Sequence, residues 1–191
     1  ETELPLKRYP TLNAFFTRNL KQGCRPIATT EIVSPVDGKC LEWGDIHEGQ
    51  LLQAKGLPYR LEDLLPDSAH FFKDGAFLTI YLAPSDCHRI FSPLEGEISQ
   101  MTHIPGILKP VREPHISHTP QLYTKNERVS TLIKTRHGMA TLVLVGATNV
   151  GNMSATFDPS LRTNTDNKNV STRDYSPTHD IKKGDWIHTF H

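Results

Sequence analysis

Four segments of this sequence carry residue types that could do chemistry. The densest is Tyr81-Leu82-Ala83-Pro84-Ser85-Asp86-Cys87-His88-Arg89-Ile90-Phe91-Ser92-Pro93, where an acid, a thiol, an imidazole and a guanidinium occupy consecutive positions after an apolar run. Imidazole titrates near neutral pH and guanidinium can fork onto a carboxylate or phosphate, so His88 is a candidate proton carrier and Arg89 a candidate anion ligand, with Asp86 beside them. The same three side chains could equally form a surface ion-pair network. Upstream, Ser34-Pro35-Val36-Asp37-Gly38-Lys39 is a proline and glycine turn presenting one carboxylate, Asp37, whose blandest use is to bond its own backbone. Gln53-Ala54-Lys55-Gly56 closes a strand-like run on Lys55. In Leu144-Val145-Gly146-Ala147-Thr148-Asn149-Val150-Gly151-Asn152, small residues around Ala147 and Thr148 leave room for a ligand or another backbone, or mark a bulge. His103, His115, His118 and His137 match no metal-binding helix motif and are expected to be solvated or core histidines. A metal-dependent hydrolase using Asp86, His88 and His103 is an alternative that the spacing disfavours.

The elements that must hold these residues are mostly strands. Lys39 to Trp43, Leu51 to Ala54, Phe77 to Leu82 and Gly96 to Thr102 are short β-rich runs broken by Gly, Pro and Asp. Val129 to Thr135 and Met139 to Val145 flank Arg136-His137-Gly138 as a hairpin, and Trp186 to Phe190 forms a final strand after the Lys182-Lys183-Gly184-Asp185 turn. Thr11 can cap a helix bearing Leu12, Phe15, Phe16 and Leu20, and a second short helix follows Tyr59 and ends before Pro66. Asp158 to Asp180 is polar and without period, which predicts a mobile loop. The expected fold is mainly β (α+β), with antiparallel sheets in a compact β-rich core, a few short helices, and one domain over residues 1–191.

Bulk composition narrows the function classes. Lys and Arg number 21 against 21 Asp and Glu, so no global basic field draws the chain to nucleic acid. Three cysteines without CxxC spacing point to a reducing compartment. No stretch approaches the roughly 20 apolar residues of a membrane-spanning helix, so contact with a membrane is expected from one side. The chain begins at Glu1 without a signal pattern, consistent with removal of a preceding segment.

In order along the chain, Leu12-Asn13-Ala14-Phe15-Phe16-Thr17-Arg18, Arg25-Pro26-Ile27, Ser34 to Lys39, Gln53 to Gly56, Tyr81 to Pro93, Tyr123 to Val129 and Val145 to Gly151 resemble the phosphatidylserine decarboxylase family. Members are made as proenzymes that cut themselves within a Leu-Gly-Ser-Thr segment, the serine becoming a pyruvoyl group at the head of a small α chain. Gly184 to His191 is similar to the strand leading into that segment, and no Leu-Gly-Ser-Thr occurs here, so the resemblance implies a β subunit completed by a separate α chain. It further implies decarboxylation of phosphatidylserine to phosphatidylethanolamine through a Schiff base with the pyruvoyl ketone, which acts as the electron sink. Under this resemblance His88 is the histidine of the decarboxylation step and Asp37 the aspartate of a self-cleaving Asp-His-Ser triad, while Lys55, Asp86, Arg89, Ala147 and Thr148 are expected around the substrate. The triad histidine falls at Phe91, which cannot take up a proton. Also implied are a homodimer of β/α pairs and peripheral attachment to a bacterial inner membrane, on its cytoplasmic side, or a mitochondrial inner membrane. A catalytically silent lipid-binding relative lacking the pyruvoyl chain is the alternative.

Overall fold

The computed structural model describes residues 1–53 and 56–191. The strands, in chain order, are β1 (Lys39–Asp45), β2 (Gln50–Leu52), β3 (Pro58–Arg60), β4 (Ala76–Tyr81), β5 (Arg89–Phe91), β6 (Gly96–Ile104), β7 (Arg128–Thr135), β8 (Gly138–Val145), β9 (Met153–Ala155), β10 (Ser171–Ile181) and β11 (Trp186–Phe190). The α-helices are α1 (Leu12–Phe16), α2 (Leu61–Leu64), α3 (His115–His118) and α4 (Leu122–Lys125). All strand pairings are antiparallel, in sheets ordered β10-β6-β7-β8, β5-β11-β9, β1-β4 and β2-β3. The expected β-rich α+β architecture is present.

Alternation along β7 divides the interior. Successive side chains of a strand point to opposite faces, so Leu132 joins one apolar cluster with Leu61, Leu64 and Phe72, while Val129 and Ile133 join a second with Ile98, Leu144 and Ile187. The first cluster explains α2, whose Leu61 and Leu64 are buried together with Leu65 before Pro66 ends the segment.

Two expectations are corrected. Residues 158–180 are not one mobile loop: β10 runs from Ser171 to Ile181 and pairs with β6 across a register shift between Asp174 and His179. As an edge strand it needs apolar contact on one side only, so Tyr175 and Ile181 pack into the second cluster and polar neighbours fill the other positions. Cross-strand pairs such as Gln100 Nε2 to Asp174 Oδ1 (2.8 Å) and Thr178 Oγ1 to Glu97 Oε2 (2.9 Å) replace the apolar period that signals a strand. The first helix is also shorter than the Leu12 to Leu20 pattern. Thr11 caps it, accepting from Ala14 N–H at 3.0 Å, but Thr17 Oγ1 donates back to Asn13 O at 2.9 Å and closes the last turn at Phe16.

Candidate active site

His88 lies in the link between β4 and β5, and the C-terminal strand fastens it. Phe190 N–H donates to the His88 carbonyl at 3.0 Å, while Thr189 pairs with Arg89 across β11 and β5. The imidazole is buried between the Phe16 ring, 3.8 Å away centroid to centroid, and the Phe190 ring at 6.5 Å. Nδ1 stands 3.0 Å from the Asp86 carbonyl oxygen, which can only accept. Nδ1 therefore carries the proton, and in the neutral ring Nε2 holds a free lone pair. Burial lowers the His88 pKa below the ordinary imidazole value, partly opposed by Asp86 and reinforced by the charge of Arg18. His88 is therefore mostly neutral at pH 7.

Asp37 stands close by through its turn. Arg25 grips both carboxylate oxygens, Nε to Oδ1 at 2.7 Å and NH2 to Oδ2 at 2.8 Å. That bidentate pair holds the Asp37 carboxyl below the usual range against its partial burial, and the Cys87 backbone N–H and Arg18 add to the lowering. Phe91 N–H donates to Pro35 O at 2.8 Å, so β5 and the Asp37 turn are tied. Gly38 is obligatory: its φ is +120°, and a Cβ there would strike the Tyr81 carbonyl oxygen at the end of β4.

The other expected site residues divide. Ala147, held in a tight turn by reciprocal bonds with Val150 (3.0 and 2.9 Å), lines the same cavity of about 700 Å³ as His88, Phe190 and Val36, the neighbour of Asp37. Thr148 turns its hydroxyl to Leu108 O at 2.7 Å, outside that lining. The Asp86 carboxylate accepts from Ala83 N–H at 2.7 Å and shapes its own loop. Arg89 stacks over the Trp186 ring at 3.8 Å and directs Nε and NH2 to Thr17 O, at 3.1 and 3.0 Å, so it fastens the end of α1 to the site. Lys55 lies outside the described residues. Among the described residues, Asp86, His88 and His103 form no metal-holding group.

The family model described as phosphatidylserine decarboxylase matches residues 12–191. The chain belongs to the phosphatidylserine decarboxylase family. Among its relatives are proteins named phosphatidylserine decarboxylase proenzyme from Idiomarina loihiensis, 41% identical over 94% of this chain and 64% of the relative, from Shewanella woodyi, 44% over 87% and 60%, and from Legionella pneumophila strain Corby, 43% over 76% and 52%. The chain thus spans between 52% and 64% of the length of these curated relatives.

Within this phosphatidylserine decarboxylase family chain, two polar stretches pack near the site, and only the tertiary structure shows what their side chains contact. Arg18, in the Phe15-Phe16-Thr17-Arg18 segment, donates from NH2 to Ser85 O at 2.7 Å while its buried Nε has no partner among the described residues. Its charge is felt by both His88 and Asp37. The second is Asn126-Glu127-Arg128 at the start of β7. Asn126 Nδ2 donates to Lys109 O (2.9 Å) and Gly146 O (2.8 Å), and Glu127 pairs with His103 at 2.6 Å while accepting from Asn164 N–H at 2.7 Å. Arg128 donates to the carbonyls of Leu64 and Thr124, among others, and burial pulls its pKa down to about 10. Asn126 thereby ties the Gly146-Ala147 turn to the head of β7, with Gly146 N–H donating to the Glu127 carbonyl at 2.8 Å, while Arg128 fastens α2 and α4.

Proposed function

We propose that this chain is the large, β subunit of an enzyme that decarboxylates phosphatidylserine to phosphatidylethanolamine with a pyruvoyl group carried by a small partner α chain. The observation carrying the reading is the meeting of His88 with the end of β11 at one cavity, in a chain of this family. The residues fit such a group. His88 keeps Nε2 without a partner among the described residues, and Phe190, bonded to His88 through its backbone, lines the same space. A pyruvoyl group, when present, supplies the carbonyl that accepts the electron pair left as CO2 departs.

The chain's own side chains supply position and a proton. His88 Nε2 is the atom that takes up a proton and delivers it to the former α carbon of the serine headgroup, and Asp86 O keeps the ring oriented through Nδ1. Arg18 contributes positive charge beside the imidazole, suited to the carboxylate of the substrate. Asp37, held ionised by Arg25, is the aspartate of the self-cleaving triad, and Phe91 occupies the place of its histidine.

Attachment to the membrane is peripheral in this reading, to a bacterial or mitochondrial inner membrane, and two β/α pairs form a homodimer. No helix among the described residues is long and apolar enough to cross a membrane. Exposed Leu12 on α1 and Phe71 at the cavity margin support a membrane-facing site.

The test is production of the complete precursor, intact mass of the mature material and release of CO2 from phosphatidylserine vesicles. The expected result is a second, small chain blocked at its N-terminus by a ketone, with activity lost in His88→Ala. A mature protein without that chain, still binding the vesicles, would instead establish a silent lipid-binding relative.

A further inference from the structure

A cavity of about 700 Å³ among the described residues is a gap in a sheet. Among these residues β8 pairs with β7 alone and β4 with β1 alone, so each has one free edge. Every residue of β4, Ala76 to Tyr81, and every residue of β8 from Met139 to Val145 borders the cavity of about 700 Å³. Alternate residues of a strand point to opposite faces. A cavity on one face of a sheet would touch alternate residues; one touching all of them lies in the plane of the sheet, along the strand edges.

The chemistry of the edges names the occupant. A free edge presents unpaired N–H and C=O groups, and here they face apolar side chains such as Phe77, Ile80, Leu142 and Val143 rather than open water. Acyl chains could fill the volume but could not bond those groups. Only another extended backbone satisfies both the apolar walls and the polar edges. The Thr141 hydroxyl, midway along β8, is likewise buried and without a partner among the described residues. Six residues of β4 and eight of β8 present edges of about 20 and 27 Å, enough for an extended segment of about six to eight residues.

Resting on the function proposed above, we infer that an extended segment of the pyruvoyl-bearing partner chain adds as β-strand between β4 and β8. It joins the two sheets into one, ordered β1-β4-segment-β8-β7-β6-β10. His88 and Phe190 border the same cavity, so a segment seated there passes beside the proton-carrying imidazole. The partner chain then completes the wall of the site as well as bringing the cofactor, and the lipid tails lie outside this cavity.

The experiment uses the mature two-chain enzyme with photoreactive benzoylphenylalanine in place of Leu142 or Ile80, and in place of exposed Lys134 as control. Irradiation should join the large chain to the small one from positions 142 and 80 and not from 134. Adducts to lipid, or to a second copy of this chain, would overturn the inference. Because the bulky probe can itself disturb the gap, amide exchange of the unsubstituted enzyme is the second measurement and decides the matter if no adduct forms. Amides of β8 that point away from β7 should exchange as slowly as those bonded to it. Exchange at the rate of an open strand edge would refute strand addition. Absence of any small chain by intact mass would sink the functional reading itself, whereas a small chain present but crosslinked elsewhere sinks only its placement here.

Discussion

The two nitrogens of His88 have different surroundings, and that asymmetry sets what the residue can do. With Nδ1 committed to the Asp86 carbonyl, proton traffic is confined to Nε2. Phe91 is three residues on, with its backbone bonded to Pro35 in the turn that carries Asp37. Under the function proposed above, these positions separate two chemistries that share a neighbourhood. A proenzyme carrying Phe91 lacks the imidazole that would deprotonate the attacking serine, so its cleavage should be slow, and Phe91→His should speed it by about 10²- to 10⁴-fold on a gel time course. Turnover per mature enzyme should hardly change in that variant, whereas His88→Ala should abolish turnover while sparing cleavage. Cleavage at the same rate with and without the Phe91→His substitution would mean that another group is the base.

At the scale of elements, the Gly146-Ala147 turn beside the cavity is tied to the head of β7 by a buried side chain. Asn126 is fully buried and its amide bridges the carbonyls of Lys109 and Gly146, so Asn126→Ala strands the buried Gly146 acceptor and removes the part-buried bond to Lys109. Each such orphaned group costs about 1 to 3 kcal/mol. The variant should lose about 3 kcal/mol by urea unfolding, with an unchanged slope against denaturant and a weakened Gly146-Ala147 turn. A loss below 0.5 kcal/mol, on the order of an ordinary surface substitution, would show that solvent replaces the bridge. On β11, His188 is wholly enclosed. The Ser154 carbonyl at Nδ1 (3.2 Å) makes Nδ1 the donor, and Nε2 accepts from Thr131 Oγ1 at 2.7 Å. Burial pushes its pKa down from 6.5 to about 4. The folded value lies below the unfolded one, so this stabilising contribution is complete above pH 6.5, falls as the pH drops, and is gone below about pH 4. Through linkage the window is worth roughly 3 kcal/mol. Urea unfolding stepped across that range should show the decline, and His188→Gln should flatten it; parallel curves for the two proteins would refute the assignment.

For the whole molecule, formal charge is zero, so the proposed attachment to a bilayer has to draw mainly on apolar contact. Leu12 is 82% and Phe71 48% exposed, and both are near the site: α1 stacks Phe16 on His88, and Phe71 borders the cavity. Each buried CH2 contributes about 0.8 kcal/mol, so replacing both residues by Ser should reduce liposome flotation severalfold, and raising the salt should matter little. Flotation that survives the double substitution, or that salt abolishes, would assign membrane contact to other residues or to charge.

Family membership, the β7–β8 hairpin and the final strand were legible in the sequence, because each is encoded locally in a run of adjacent residues or in a period of two. The strand character of residues 171–181 was not, since an edge strand buries one side and replaces apolar period with polar cross-strand pairs that only its partner β6 reveals. Nor could sequence order say that Asp86 and Arg89 are occupied by their own loop and by Thr17, or that Asp37 is chelated by Arg25. A side chain's role depends on which atoms surround it, and those atoms come from distant segments. Least legible of all was the gap between β4 and β8. An unpaired edge is a relation between strands, so it exists only once the sheets are assembled.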